Sequence, residues 1–249
     1  MPFGSVFDYE YFAIGIIRRS RFGLNAHSQA YIEAVKETVA SHLAEMPRGT
    51  TLYRAQPDVN REYSGMKESI TPLPAGRMKP LPNSAREGRA NPKGIPYLYL
   101  ADKAKTAMSE VRPWRGAYIS IGEFKTTADL KIVDCSKSEG VTFKGAGSVT
   151  VSLTDPKLSE AMNWNRISRA FAEPITDSDQ KAQYAPTQML AEVFKSLDFD
   201  GVKYLSLLDD DDCGFSYALF DLGHAELAEC KVCQVKSITH EFSDLFERA

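Results

Sequence analysis

The chain has 249 residues and a formal net charge of −3, with 43% hydrophobic and 25% charged residues. These values are ordinary for a globular protein and give no basic field of the kind that nucleic-acid-binding proteins carry. No apolar run approaches the length of a membrane span. The N-terminus lacks the basic-then-apolar order of a signal peptide. We therefore expect a cytoplasmic protein that neither binds nucleic acid directly nor enters a membrane.

The four cysteines include one CxxC pair, Cys230 and Cys233. A zinc site needs four ligands, and the sequence offers neither a second CxxC nor a nearby pair of histidines. The scattered histidines likewise show no triad spacing. We expect reduced thiols and no metal site.

The first 50 residues precede the main body of the chain. Residues 28–46 predict a helix, because apolar residues recur at helical spacing from Ile32 to Leu43. We interpret residues 1–50 as an N-terminal helical extension that packs on a core domain of residues 51–249.

Short apolar or alternating segments predict strands in the core domain, and amphipathic segments predict helices. The predicted strands are 51–55, 95–100, 117–124, 130–133, 200–204, 215–221 and 227–239. The predicted helices are 103–112, 158–171 and 187–197. Because strands and helices do not strictly alternate, the order favours an α+β fold, with mixed or antiparallel central sheets flanked by helices, over a doubly wound parallel sheet.

Two long segments fit this pattern less well. Residues 57–90 are polar and rich in Pro, Gly and Ser, which predicts a long loop. Residues 136–177 read as an insertion that contains the predicted helix 158–171. We expect Trp164 and Phe171 to anchor this insertion rather than to form a binding surface.

The stretch 88–114 combines three chemically active side chains on three kinds of backbone. Arg89 lies in a loop interrupted by prolines and a glycine, and Tyr99 lies on the following predicted strand. Asp102 is a suitable N-cap for the next helix. Glu110 falls in the last turn of that helix, where the dipole disfavours a carboxylate. Its position calls for a cationic partner such as Arg89, or for a functional role.

These residues carry a resemblance. A Gly-Arg-x-Asn-Pro-x-Gly-x-Pro-x-x-Tyr motif begins at Gly88, Glu110 follows it, and a Tyr-x-Ser motif ends at Ser206. The ordered set resembles the RES domain family, which is named for its arginine, glutamate and serine. The resemblance implies an ADP-ribosyltransferase-like fold and a bacterial toxin paired with an Xre-like antitoxin. It also implies that NAD is consumed, by phosphorolysis with inorganic phosphate, by hydrolysis, or by transfer of ADP-ribose to a protein.

The resemblance implies catalytic roles for Arg89, Tyr99, Glu110 and Ser206. Cleavage of the nicotinamide–ribose bond passes through an oxocarbenium-like centre, as glycoside cleavage does. Arg89 is suited to clamp a phosphate, Tyr99 to stack on nicotinamide or bind the ribose, and Glu110 to stabilise the developing positive charge. Ser206 is suited to bind phosphate or ribose. No cofactor is implied beyond NAD itself.

Four further residues are implied as substrate-binding: Arg54, Asn91, Gln188 and Ser216. Arg54 is a second candidate for the phosphate clamp. Each of the catalytic candidates also has a structural alternative when taken singly. Arg89 and Glu110 would form an ion pair, Tyr99 would be a core aromatic, and Ser206 would cap a turn.

The four consecutive aspartates 209–212 are interpreted as a solvated loop or as a docking surface for a basic antitoxin segment. A homo-oligomer is compatible with the sequence. A non-catalytic nucleotide-binding module is the alternative from a different functional class.

Overall fold

The computed structural model describes residues 3–82, 84–138, 155–173, 182–208 and 214–239. Six α-helices and ten strands fall within these described ranges. The helices are α1 Asp8–Arg18, α2 Ala26–Thr38, α3 Ala75–Met78, α4 Ala104–Glu110, α5 Pro156–Ala172 and α6 Ala185–Ser196. The strands are β1 Leu43–Met46, β2 Thr51–Gln56, β3 Asn60–Ser64, β4 Lys67–Thr71, β5 Leu98–Ala101, β6 Tyr118–Thr126, β7 Leu130–Asp134, β8 Gly201–Leu205, β9 Phe215–Leu219 and β10 Ala225–Gln234.

Eight strands form one sheet in the order β1-β7-β8-β9-β5-β2-β6-β10. Every neighbouring pair in it is antiparallel except β7 and β8, which are parallel. The remaining two strands, β3 and β4, form a separate antiparallel hairpin. The sheet is therefore mixed and flanked by helices, and the predicted α+β class is confirmed.

The largest apolar cluster unites the N-terminal helices with the helices of the core. It includes Phe12 of α1, Val35 of α2, Trp164 of α5 and Phe194 of α6, all of which are fully buried against Val202 of β8. Because these side chains fill one continuous core, α1 and α2 pack on α5 and α6, which in turn pack on β8. The described part of the predicted insertion, which includes α5, lies in this core.

A smaller cluster packs α4 against the other half of the same sheet. Ala107 of α4 contacts Ala55 of β2, Ala101 of β5 and Ile121 of β6. Between the two clusters the sheet is weakly joined, because β2 and β5 pair only at Tyr53 and Ala101. This opening in the sheet positions the candidate site.

Two predicted segments were wrong. The helix predicted over 28–46 ends at Thr38, and residues 43–46 form β1, which pairs with β7 at the sheet edge. The long loop predicted over 57–90 contains the β3–β4 hairpin and the short helix α3. Both hairpin strands are polar and almost entirely exposed, so they lack the alternation that marks a half-buried strand.

The predicted N-cap of α4 also differs. Lys103 occupies the N-cap position and its side chain makes no capping hydrogen bond. The carboxylate of Asp102 instead accepts a hydrogen bond of 2.9 Å from the backbone N–H of Phe215, at the start of β9. Asp102 therefore ties β9 to the end of β5 rather than capping the helix.

The other strand and helix predictions agree with the structure to within three residues at their ends, with one exception. The last segment, 227–239, was predicted as one or two strands and forms the single strand β10, which ends at Gln234. Within the described ranges, no helix is long and apolar enough to cross a membrane.

Candidate active site

A cavity of about 490 Å³ lies where β2, β5 and α4 meet, at the opening in the sheet. Its volume is within the range of about 300–1,000 Å³ that is usual for small-molecule sites. Five of the predicted site residues line it: Arg54, Arg89, Tyr99, Glu110 and Ser216. The structure therefore brings together side chains that are as much as 162 positions apart in the sequence.

Glu110 is held by two hydroxyl groups. It is the last residue of α4, and its Oε1 accepts hydrogen bonds from Ser206 Oγ at 2.7 Å and from Ser216 Oγ at 3.2 Å. Both serines are buried, whereas Glu110 is half-buried at the cavity wall. The two donors offset the unfavourable helix dipole and fix the carboxylate in one orientation.

Gly214 brings the second of these hydroxyls into reach. A Cβ atom at this position would lie 2.0 Å from Thr106 Oγ1, so only glycine lets the start of β9 approach α4 this closely. The carbonyl of Gly214 also accepts a hydrogen bond of 2.9 Å from the backbone N–H of Ser206. Gly214 thus places Ser206 and Ser216 on the same side of Glu110.

Arg89 is anchored to the end of α5. Its guanidinium donates hydrogen bonds to the carbonyls of Phe171 and Ala172, where the helix dipole favours a cation. It also lies over the ring of Tyr204, 5.3 Å from the ring centroid. Burial lowers the pKa of Arg89, but Tyr204 and Glu110 raise it, and the net pKa is above its ordinary value. Arg89 is therefore a permanent cation in the cavity wall.

The predicted structural ion pair between Arg89 and Glu110 is not formed among the described residues. Arg89 donates to backbone carbonyls, and Glu110 accepts from serine hydroxyls. The two charges interact only through space, as the effect of Glu110 on the pKa of Arg89 indicates. Each charged group is thus positioned by neutral partners, which leaves both charges available to a ligand.

Arg54 is the second cation of the cavity. Its Nη1 donates a hydrogen bond of 2.9 Å to the carbonyl of Tyr99, which bridges the gap between β2 and β5. Its Nε is buried and has no hydrogen-bond partner among the described residues. Burial lowers the pKa of Arg54 to about 10. A half-buried cation whose Nε is unpaired and which has no carboxylate partner among the described residues suits a site for an anionic ligand.

Tyr99 and Asn91 hold the loop that carries Arg89. The hydroxyl of Tyr99 donates a hydrogen bond of 2.7 Å to Asn91 Oδ1 and accepts one of 3.0 Å from the backbone N–H of Ala90. Asn91 Nδ2 donates to three carbonyls, those of Arg86, Pro92 and Ile95. Burial raises the pKa of Tyr99, so its hydroxyl stays neutral.

Helix α6 supports the same loop from the other side. Gln188 Nε2 donates a hydrogen bond of 2.9 Å to the carbonyl of Gly88, and Thr187 Oγ1 donates one of 2.5 Å to the carbonyl of Arg89. Neither Gln188 nor Asn91 is among the described residues that line the cavity. The structure thus places these two predicted binding residues outside the described cavity wall, Asn91 within the loop and Gln188 on α6 beneath it, where they position Arg89.

Ser206 is likewise not among the described residues that line the cavity. It reaches the site only through the hydrogen bond that its hydroxyl donates to Glu110. The ligand-binding roles that the resemblance implies for the eight residues stay predictions. The aspartates 209–212 lie outside the described residues.

Three tyrosines of the cavity wall were not singled out by sequence reasoning: Tyr53, Tyr184 and Tyr204. Tyr53 directly precedes Arg54, and Tyr204 belongs to the Tyr-x-Ser motif. The positions of Tyr53 and Tyr204 beside predicted site residues are the signal that would have identified these two tyrosines. Tyr184 lies four positions before Gln188.

Tyr53, Tyr99 and Tyr184 are half-buried and offer the cavity aromatic rings on which a planar ring can stack. The ring of Tyr204 is buried and already contacts Arg89 and Phe171.

Within the described residues, no group of three or more His, Cys, Asp and Glu side chains is arranged to hold a metal ion. One fixed carboxylate, three cations and several aromatic rings make up the chemistry of this cavity, the third cation being the exposed Arg112. This set suits a ligand that carries an anionic group, a planar ring and a centre that becomes positively charged during reaction.

The chain was compared with known proteins in three ways. No curated protein matches the sequence. Among solved structures, a chain of the M. tuberculosis MbcT–MbcA toxin–antitoxin complex aligns with 15% identity and a TM-score of 0.40, covering 80% of this chain and 91% of that chain. The family profile of the RES domain matches residues 51–241, which is most of the sequence and includes every predicted site residue. The chain belongs to the RES domain family.

Proposed function

We propose that the protein cleaves the nicotinamide–ribose bond of NAD in the cavity beside Glu110. The observation that carries this proposal is the Glu110 carboxylate, fixed by two serine hydroxyls in a cavity whose wall also holds the cations Arg54 and Arg89. The fixed carboxylate is suited to stabilise the positive charge that develops on the ribose as nicotinamide leaves.

Arg54 and Arg89 are assigned to the pyrophosphate of NAD. They line the same cavity, and each is anchored to backbone carbonyls rather than to a carboxylate. Guanidinium groups bind phosphate oxygens in a bidentate manner. The aromatic rings of the wall are assigned to the nicotinamide and adenine rings.

The electron balance of the reaction is simple. The carbon–nitrogen bond breaks and its electron pair stays on the ring nitrogen, which neutralises the pyridinium charge and releases nicotinamide. An oxygen of the acceptor then bonds to the ribose carbon. Water gives ADP-ribose and a proton, and inorganic phosphate gives a phosphorylated ADP-ribose. No further cofactor enters this scheme.

Incubation of the purified chain with NAD, with and without phosphate, tests this activity through nicotinamide release. We expect release in at least one condition. NAD binding without turnover would instead favour a non-catalytic nucleotide-binding module, and the absence of both binding and release would refute the proposal.

A second candidate function is transfer of ADP-ribose to a protein. The β3–β4 hairpin follows β2 directly, and Gln56 at the end of β2 lines the cavity. The hairpin presents Tyr63, 70% exposed, and the fully exposed Met66. Exposed apolar side chains beside a cavity suit a docking protein. NAD labelled in its ADP-ribose part, added to a cell lysate, would label a protein band under this hypothesis and give only free products under the first.

An enzyme that depletes NAD harms its own cell unless it is restrained. We therefore propose, with the resemblance to toxins as the support, that the protein acts in the cytoplasm as a toxin and is inhibited by an Xre-like antitoxin. Co-expression with a neighbouring gene product that restores growth and co-purifies with the chain would support this role. Growth inhibition that no neighbouring gene product relieves would argue against it.

A further inference from the structure

Arg112 is a third cation of the cavity, and neither the pyrophosphate nor the ribose role uses it. It lies two residues after Glu110, at the turn that follows α4, and contributes to the cavity wall. Unlike Arg54 and Arg89, it is an exposed residue. Arg112 is therefore a solvent-exposed part of the cavity wall, two positions along the chain from the carboxylate.

The backbone of Arg112 adopts a left-handed conformation, which residues other than glycine rarely adopt. Its φ is 45°, and among the described non-glycine residues only Asp198 also has a positive φ. Glycine adopts this conformation without strain, and Pro113 restricts the preceding residue further. The turn is fixed by a hydrogen bond of 3.0 Å from the N–H of Arg112 to the carbonyl of Ser109. Helices commonly end with a left-handed residue directly after the C-cap, and that residue is usually glycine. The use of arginine here, at a position that also lines the cavity, points to a role for its side chain.

Charge balance indicates what that function is. Two cations, Arg54 and Arg89, match the two negative charges of the NAD pyrophosphate, and Glu110 faces the positive ribose–pyridinium unit. An anionic acceptor that approaches this unit also approaches the Glu110 carboxylate, which repels it. A further cation beside Glu110 offsets this repulsion. Water, which is neutral, needs no such cation.

We propose that Arg112 forms an acceptor subsite that holds inorganic phosphate beside the ribose carbon and so selects phosphate over water. This inference rests on the proposed cleavage of NAD. A phosphate oxygen bonds to the ribose carbon as the carbon–nitrogen bond breaks, and nicotinamide leaves with the electron pair. The remaining proton of the phosphate passes to solvent. Guanidinium suits this ligand because it donates two parallel hydrogen bonds to phosphate.

The test measures nicotinamide release at saturating NAD as phosphate is varied, with the products separated by chromatography. We expect phosphate to accelerate the wild-type protein and to yield phosphorylated ADP-ribose. In Arg112→Gly, the KM for phosphate should rise about tenfold or more, as expected for loss of a charge-assisted hydrogen bond, while the KM for NAD changes much less. Arg112→Lys should restore part of the phosphate dependence.

Two controls separate function from structure. Arg112→Gly should be at least as stable to heat as the wild type, because glycine relieves the positive φ. Arg115→Gln removes an exposed arginine from the same turn that does not line the described cavity, and it should leave the phosphate dependence unchanged.

Unchanged phosphate dependence in Arg112→Gly would overturn the inference and leave the proposed cleavage intact. Nicotinamide release by the wild type at the same rate with and without phosphate would also overturn the inference about Arg112 and leave the proposed cleavage intact. If the wild type released no nicotinamide in any condition, both the cleavage and the subsite would be refuted.

Discussion

At the scale of single residues, the cavity is built from groups whose surroundings do not match their charge. Arg54 is a cation whose buried Nε lacks a hydrogen-bond partner among the described residues. Glu110 is a carboxylate at the negative end of a helix, fixed by hydroxyl groups rather than by a cation. Such arrangements cost stability, and they are found where a ligand or a reaction supplies the missing charge.

Arg54 should therefore stabilise NAD binding at the expense of the protein's own stability. Burial lowers its pKa to about 10 from an ordinary value of 12.5, which means that its charged form is disfavoured in the fold. Without NAD, Arg54→Met should raise the free energy of unfolding by about 1 kcal/mol, since it removes a buried charge. The KM for NAD should rise.

Urea denaturation and steady-state kinetics measure the two effects. Arg54→Lys, which keeps a charge but loses the bidentate geometry, serves as the control and should gain no stability. A less stable Arg54→Met variant would show that Arg54 serves the fold rather than a ligand.

At the scale of elements, the loop at 88–91 depends on close packing against β5. A Cβ atom on Gly88 would lie 2.6 Å from the hydroxyl of Tyr99 and 2.7 Å from Asn91 Oδ1. Gly88→Ala should therefore displace the loop, move Arg89 and raise the KM for NAD about tenfold or more. Gly76→Ala in α3 is the matched control, because its Cβ would contact nothing within 4 Å and its φ is not positive. Equal KM values in the two variants would contradict this role of the loop.

His42 couples the N-terminal segment to the sheet and should make stability depend on pH. It is buried, its ring stacks on Trp164 at 3.7 Å between ring centroids, and its Nδ1 lies 3.2 Å from the carbonyl of Asp134. Burial lowers the pKa of His42, and the hydrogen bond to Asp134 offsets this only in part. The neutral ring is thus the form that fits the fold.

The sign of the effect follows from the lowered pKa. Above the unfolded pKa of about 6.5, His42 is neutral in both states and costs nothing. As pH falls below that value, the unfolded state takes up the proton first, so stability is lost by up to about 1.4 kcal/mol per pH unit until the folded pKa is reached. Chemical denaturation between pH 7.5 and 5 should show this loss in the wild type and in His27→Gln, an exposed control, but less of it in His42→Gln. If the free energy of unfolding fell with pH to the same extent in the wild type and in His42→Gln, His42 would not be the source of the pH dependence.

Most elements could be predicted from the sequence because their own residues carry the pattern. The exceptions have physical reasons. Residues 43–46 continue the helical period of the preceding segment, and only pairing with β7 makes them a strand. The β3–β4 hairpin has no buried face, so hydrophobic alternation gives no signal for it.

The site, too, could be predicted only where the local sequence carries the pattern. The motif identified Arg89, Tyr99 and Glu110, whereas the close approach of Gly214 to Thr106 depends on packing that no local pattern records. The position of Gln188 beneath the loop is likewise set by a distant backbone carbonyl, that of Gly88, 100 positions away.

At the scale of the whole molecule, the N-terminal helices and the core should unfold as one unit. Phe12 of α1 is fully buried in the main cluster, whereas Phe22, ten positions later, is 99% exposed. Phe12→Ala should lower the free energy of unfolding by about 3–5 kcal/mol, and Phe22→Ala by less than about 0.5 kcal/mol.

Chemical denaturation followed by both circular dichroism and tyrosine fluorescence measures these changes. A single transition that shifts in both signals for Phe12→Ala is the expected result. If the Phe12→Ala variant lost only part of the helical signal and kept the transition of the core, the N-terminal helices would be an independent unit.

The proposed function requires that the Glu110 carboxylate act on the bond that is broken. The most direct measurement compares nicotinamide release from NAD by the wild type and by Glu110→Gln, with NAD binding and thermal stability measured in parallel. The amide oxygen of glutamine still accepts the hydrogen bonds of Ser206 and Ser216, so the fold and NAD binding should persist. We predict that the rate of release falls about 100-fold or more because the negative charge is lost. If a stable Glu110→Gln variant released nicotinamide at the wild-type rate, the carboxylate would have no role in cleavage and the proposed function of Glu110 would be contradicted.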